Sequence, residues 1–299
     1  MVNIIKNIIL SNRHKLIKRI YDIKLLKNTE LQKSLEINGF VHINNIIHQE
    51  QIDELNSIYK VATKKFDFNT NNSNFLNTMS LTNSEVKAFL KNETTPIVKR
   101  IFEKVLDLNK FRIPFGAAYC INPPNTNQSC NPHQDPAYVD ETVSYSVIAW
   151  IPLTDINMQN GCLHILPKSH LWGNNKRSIS MGWAFEKYSN EFWKHMIPIP
   201  AKSGDIIFFD CALIHGSNVN NTNKDRLAIN IPLLPSLQKM ITYYPINNNK
   251  LSCYEIDEDY YLKEYLFSCP SNKYKIINTV KLPYYHPKDF SRLLQQIKK

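Results

Sequence analysis

Residues 203–234 read SGDIIFFDCALIHGSNVNNTNKDRLAINIPLL, and this stretch decides the kind of fold the chain adopts. Two apolar, β-rich runs, DIIFFDCALIH and RLAINIPLL, flank a polar connection full of Asn. Working outward, FGAAYCIN at 115–122, SYSVIAWIPL at 144–153 and CLHILP at 162–167 are runs of the same kind, punctuated by Pro, Asn and Gly. From Arg112 onward the hydrophobic period is two, as expected of strands. Asn160-Gly161, between two of these runs, is a hairpin signal because both residues accept positive φ. The pattern predicts an antiparallel barrel or jelly roll over roughly residues 111–235.

Before this core the period is helical. LQKSLEINGF leads to a short strand-like run, VHINNII, and QEQIDELNSIYKVATKKF then places Ile52, Leu55, Ile58 and Tyr59 on one face. The Asn/Thr-rich residues 66–82 read as a loop, and EVKAFLKNETTPIVKRIFEKVLDL as a helix broken near Pro96. The fold class is therefore α+β with a mainly β core. It is expected as one domain over residues 1–299, comprising a helical part to 110, the β core to 235 and a carboxy-terminal extension, 236–299. That extension holds nine of the 15 tyrosines without a clear period, and reads as an irregular tail packed on the barrel or capping a pocket.

The net charge of +10 is concentrated at the two ends. Residues 1–34 carry eight Lys/Arg against Asp22 and Glu30, residues 272–299 carry seven against Asp289, and the stretch between has 21 basic and 23 acidic residues. A near-neutral middle argues against a nucleic-acid partner; the basic amino terminus leaves room for weak contact with a membrane surface. No stretch reaches membrane-spanning length, and the first twenty residues lack the continuous apolar core of a signal peptide. Six cysteines without a CxxC pair fit reduced thiols, so the location expected is cytoplasmic.

The chemistry starts at NPHQDPAYVD, residues 131–140. Side chains two apart on a strand point the same way, so His133 and Asp135 can present a nitrogen and an oxygen to one point, or belong to a polar turn. His215, after an apolar strand, offers a third ligand, and two histidines with one carboxylate suit non-haem Fe(II) with open positions. Arg226 lies on the next β-run, where a hairpin would return its guanidinium toward the metal end. Arg grips a carboxylate through two parallel bonds, which suits the far end of 2-oxoglutarate.

Taken together, HQD at 133–135, WIPLTD at 150–155, NGCLHILPKSH at 160–170, SGDIIFFD at 203–210 and the run His215, Ser217, Asn220, Thr222, Arg226 resemble the phytanoyl-CoA dioxygenase-like family of Fe(II)/2-oxoglutarate oxygenases. The resemblance implies a double-stranded β-helix, a cupin-like jelly roll, flanked by amino-terminal helices. It implies iron held by His133, Asp135 and His215, 2-oxoglutarate held by Arg226 and Ser217, a pocket lined by Trp150, O2 as co-substrate and hydroxylation of a small molecule. Tyr119, on the strand before the HxD loop, is a further pocket candidate.

Departures from the family pattern are few. Pro167-Lys168-Ser169-His170 stands where the family usually has Pro-Gly-Ser-His. Asp135 is retained where related halogenases have a small residue. Arg226-Leu227-Ala228 lacks the serine of the isopenicillin-synthase branch, and Pro232 stands where nucleic-acid demethylases have a second arginine. The remaining seven histidines read as core or surface groups, and a zinc hydrolase gives no reason for Arg226. The alternative of another class is a cupin-like metal-binding protein, or an inactive relative, that does not turn over.

Overall fold

The computed structural model of the protein describes residues 19–66, 68, 75–124, 129–172, 176–181, 185–247, 250–282, 291, 294 and 295. The basic amino terminus considered above for membrane contact lies outside the described residues up to position 18, as do His14 and His286.

Helix α1 (Thr29–Asn38) begins where the Asn28 side chain accepts from the N–H groups of Glu30 and Leu31. It ends at Gly39, whose φ of 82° is the left-handed cap, and the chain turns at once into strand β1 (Phe40–Ile43). Helices α2 (Gln49–Phe66) and α3 (Ser84–Phe102) follow. A seven-stranded antiparallel sheet then assembles β9 (Ile206–Asp210), β6 (Val147–Pro152), β11 (Arg226–Pro235) and β4 (Ala118–Asn122) between edge strands β1 and β2 (Leu76–Asn77), with β3 (Phe111–Arg112) on the far end of β11. A second antiparallel sheet orders β5 (Cys130–His133), β10 (His215–Ser217), β7 (Leu163–Ile165) and β8 (Ile197–Ile199).

Period-two alternation sorts the central strands onto two cores. Val147, Ala149, Ile151, Ile206, Phe208, Ile229 and Ile231 pack with Leu55, Leu90 and Ile101 of the helices. Their neighbours Ile148, Trp150, Ile207, Phe209 and Ala228 pack instead with Leu163, Ile165 and Ile199 of the smaller sheet. Each fully buried Leu or Ile contributes roughly 1.5–3 kcal/mol. The result is three layers: helices, large sheet and small sheet. The site lies between the sheets.

Five expectations are corrected. Helix α3 runs unbroken through Pro96. The hydroxyls of Thr94 and Thr95 donate to the carbonyls of Leu90 and Lys91 in the preceding turn, and burial of Val86, Leu90, Ile97 and Ile101 offsets an interior-proline cost of about 3 kcal/mol. Asn160-Gly161 is no hairpin, because β6 pairs with β9 and β11 while β7 pairs with β10 and β8. The connection arches from one sheet to the other, and Gly161 (φ 79°) is needed there because a Cβ would lie 2.4 Å from the Asn218 carbonyl oxygen. For the same reason β10 and β11 form no hairpin; Arg226 and His215 meet across the gap between sheets.

Within the expected loop 66–82, β2 pairs with β4 and a 3-10 turn follows at Thr78–Ser80. The carboxy-terminal segment is regular rather than irregular. Strands β12 (Met240–Asn247), β13 (Lys250–Ile256) and β14 (Lys275–Lys281) form a third antiparallel sheet, with a short helix, α5 (Glu258–Lys263), after β13; a further short helix, α4, covers Ser189–Trp193. Tyr254, Tyr260 and Tyr261 join the core between the sheets, and this cross-sheet packing overrides any simple sequence period.

Candidate active site

Strands β5 and β10 pair with His133 directly opposite His215, so their rings lie 4.3 Å apart. Asp135 sits just beyond the end of β5, with Oδ1 3.9 Å from His133 Nε2 and Oδ2 3.7 Å from His215 Nε2. Each imidazole is fixed from behind: Nδ1 of His133 lies 2.8 Å from the Asn131 carbonyl oxygen, and Nδ1 of His215 lies 3.0 Å from that of Leu213. A carbonyl only accepts, so Nδ1 carries a proton in each ring and Nε2 is the nitrogen left to face a ligand.

Three observations fit a metal here. One ligand atom from each of the three residues can be chosen so that all lie within 4.8 Å of one another. Asp135 Oδ2 is buried without a hydrogen-bond partner. Burial, reinforced by the charge of His133 and opposed by Asp135, lowers His215 to about 4, so its imidazole is neutral at pH 7. His133 moves the other way, to about 10, because Cys130 and Asp135 outweigh the effect of burial. A metal ion at the triad would displace that proton.

Arg226 is 1% exposed. Its Nη2 donates to Ser217 Oγ at 3.3 Å, its Nε is buried without a partner, and no carboxylate pairs with it among the described residues. Its guanidinium carbon lies 5.7 Å from the Phe75 ring centre and 5.9 Å from that of Trp150. Such a charge, buried and unpaired, is costly unless an anion completes it. Arg226, Ser217, Trp150, Cys120 and the triad line one inner cavity of about 70 Å³. An outer chamber of about 300 Å³ adjoins it, and His133, Asp135, Asn77 and Asn230 line both.

The other expected residues divide. Trp150 and Ser217 line the inner cavity, whereas Tyr119 does not. It is fully buried on the helix side of the large sheet, where its hydroxyl donates to the Leu55 carbonyl at 2.7 Å and its ring stacks on Tyr59. Register explains this: Tyr119 pairs with Ile229, a helix-facing position, while its neighbour Cys120 pairs with Ala228 and lines the cavity. Lys168 adopts φ 65°, the conformation that suits the glycine usual there, and its N–H donates to the Asn38 carbonyl beside α1, away from both cavities.

A buried ion network was not legible in the sequence. Arg177 donates from Nε to the Asp135 carbonyl at 2.7 Å and grips Glu141 with Nη1 and Nη2 at 2.7 and 2.8 Å. Arg19 bridges Glu141 to Asp210, with Nη2 2.9 Å from Glu141 Oε1 and 2.6 Å from Asp210 Oδ1. All four side chains are at most 5% exposed. Asp210 also accepts from the Ala212 N–H at 2.8 Å, in the turn that delivers His215, and Gln134 Nε2 donates to the Ala212 carbonyl at 2.5 Å. Charge-assisted bonds thus run from the backbone of Asp135 to the turn preceding His215. Of the four charged residues only Asp210 falls in a segment that carries the resemblance; the others are far apart in the chain.

The chain is similar to known proteins. A model of the phytanoyl-CoA dioxygenase (PhyH) family fits residues 35–228. The chain belongs to the phytanoyl-CoA dioxygenase family. Its relatives include phytanoyl-CoA dioxygenase of Arabidopsis thaliana, 31% identical over 121 residues, and phytanoyl-CoA dioxygenase domain-containing protein 1 of Mus musculus, 26% identical over 125. These alignments take in 40% and 39% of this chain and 43% of each relative, so less than half of either relative's length is matched. In fold, this phytanoyl-CoA dioxygenase family member is similar to the non-heme alpha-ketoglutarate-dependent carbocyclase SnoK of nogalamycin biosynthesis, with a TM-score of 0.53 at 15% identity over 71% of this chain and 86% of that one. It is also similar to the epimerase SnoN, solved with Fe3+ and alpha-ketoglutarate, with a TM-score of 0.51 at 19% identity over 72% and 85%.

Proposed function

We propose that the protein is an Fe(II)/2-oxoglutarate-dependent oxygenase, built on a double-stranded β-helix, that hydroxylates a small molecule. The observation that carries this reading is Arg226, a buried cation without an acidic partner among the described residues, in the same cavity as the His133–Asp135–His215 triad. His133, Asp135 and His215 would hold the iron, and Arg226 with Ser217 would receive the distal carboxylate of 2-oxoglutarate. Iron bound there supplies O2 activation, coupling conversion of 2-oxoglutarate to succinate and CO2 with oxidation of a substrate C–H bond.

The chain's own residues supply orientation and shelter. The carbonyls of Asn131 and Leu213 hold both imidazoles with Nε2 toward the metal position, and Arg177 holds the backbone of Asp135. The Trp150 and Phe209 side chains wall the cosubstrate cavity against water, which strengthens the Arg226–carboxylate pairing. The complete triad favours hydroxylation over halogenation. In this reading the whole chain forms one oxygenase domain whose carboxy-terminal part closes the chamber through Tyr261. Six unpaired thiols support a reducing, cytoplasmic location.

The test is succinate release by purified protein given Fe(II), 2-oxoglutarate and O2. Release should require all three and fall at least about a hundredfold in Asp135→Ala, since a lost ligand costs more than the 10–100-fold of a lost supporting contact. Release that persists unchanged in Asp135→Ala would contradict the assignment.

A further inference from the structure

We infer that the outer chamber binds an uncharged, mainly apolar molecule bearing one hydrogen-bond donor, which Asn230 receives beside the metal position. The inference rests on the oxygenase reading for the fate of that molecule, but on the chamber's own lining for its chemistry. Phe115, Tyr138 and Tyr261 form a triangle of rings with centres 4.6–5.7 Å apart. Ile148, Met79 and Met181 continue the apolar lining. Among the described residues the lining carries no Lys, Arg or Glu, and its acid and imidazole are the metal-site groups Asp135 and His133. Burial pushes both tyrosines well above their ordinary range, so the phenols add no charge. With those two groups committed to a metal, a charged headgroup entering this chamber would lose its hydration and find no free counter-charge.

The polar lining groups narrow the choice further. Gln134 donates to the Ala212 carbonyl, Ser178 Oγ to the Tyr243 carbonyl at 2.5 Å, and Asn77 Oδ1 accepts from the Met79 N–H at 2.9 Å. Asn230 differs: its Oδ1 is buried without a partner. It stands on the central strand β11, two residues beyond Ala228 and four beyond Arg226 on the same face, and lines both cavities. An amide oxygen in that position accepts from a hydroxyl or N–H of the bound molecule and leaves the apolar remainder against the ring triangle.

Four naphthalene probes that share one ring system separate these features: ethylnaphthalene, naphthaleneethanol, naphthaleneacetate and naphthaleneethylamine. Their binding to the Fe(II)-loaded full chain is read by fluorescence anisotropy without oxygen, and 2-oxoglutarate binding to the same protein is measured in parallel by calorimetry. The alcohol should bind at least about tenfold tighter than the acetate or the amine, reflecting the cost of burying an unpaired charge. Asn230→Leu should weaken the alcohol about two- to tenfold, the value of one hydrogen bond, and leave ethylnaphthalene unchanged. Ala118→Trp, which fills the chamber, should abolish binding of both; Met79→Trp at the partly exposed wall serves if the first variant does not fold. Charged probes that bind as tightly as the alcohol, alcohol binding indifferent to Asn230→Leu or to the filled chamber, or no binding by any probe would overturn the inference. Probe binding without any 2-oxoglutarate binding would instead sink the oxygenase reading and leave the chamber's chemistry standing.

Discussion

The inner cavity and the outer chamber share His133, Asp135, Asn77 and Asn230 yet are opposites in chemistry. The inner one presents a guanidinium without a carboxylate partner among the described residues, a hydroxyl and an unpartnered carboxylate oxygen within a small volume. The outer one is larger and presents rings, methionines and a single free amide oxygen. A cavity that must hold one invariant anion and a metal is built from few, charge-specific groups. A chamber that must accept a particular carbon skeleton is built from shape, which many side chains can supply.

The sharpest way to break this contrast is to remove the inner charge. Arg226→Ala should weaken 2-oxoglutarate binding about a hundredfold or more, since losing one partner of a buried charge pair costs roughly 2–5 kcal/mol, while metal affinity stays within a few-fold. Calorimetry with the metal-loaded protein checks it, and unchanged cosubstrate affinity would remove Arg226 from its role.

The next largest effect tests how the triad is held. Arg177→Met cuts the bond to the Asp135 carbonyl and strands Glu141 with Arg19 alone, so Co(II) affinity, read from its visible absorption, should fall about tenfold. The fold should lose about 3–5 kcal/mol as a buried ion network is broken. Asp205→Asn is the control. It disrupts the His42–Asp205 pair (2.9 Å), which lines neither cavity, and should destabilise the fold without changing Co(II) affinity.

The same network sets an acid limit. Burial favours the neutral form of Glu141, but Arg177 and Arg19 outweigh it and hold the carboxyl near 2 against an ordinary 4.5. A depressed carboxyl stabilises the fold fully above its unfolded value and loses that contribution as pH falls from about 4.5 toward 2. Thermal unfolding should therefore weaken across that window by an amount on the order of 3 kcal/mol, and Glu141→Gln should flatten the dependence.

The legibility of the two regions follows from the same contrast. His133, Asp135, His215, Ser217 and Arg226 could be read because the proposed metal and dicarboxylate would dictate residue type and spacing along three strands, β5, β10 and β11. The jelly-roll runs could be read because period two shows in the apolar pattern. What could not be read depended on parity and distance. Tyr119 and Cys120 are adjacent, and only the pairing of β4 with β11 decides which faces the cavity. Arg19, Glu141 and Arg177 carry no local pattern because their partners lie 36 to 191 residues away. Phe115, Tyr138 and Tyr261 converge from three separate segments, and aromatic residues in a sequence do not say which core they will join.

Tyr119→Phe gives the smallest expected effect and sharpens the parity argument. It should cost about 1–2 kcal/mol through the lost bond to the Leu55 carbonyl, with metal and 2-oxoglutarate affinities unchanged. Altered cosubstrate binding would return Tyr119 to the pocket.

The central claim is that one cavity holds both a metal at the triad and 2-oxoglutarate at Arg226. Its most direct test is an anaerobic titration of the apoprotein with Fe(II) and then 2-oxoglutarate, following the visible charge-transfer absorption of the iron chelate. The expected result is a band that needs both components and is strongly weakened in Arg226→Ala. A folded, iron-loaded protein that gives no band with saturating 2-oxoglutarate would contradict the claim.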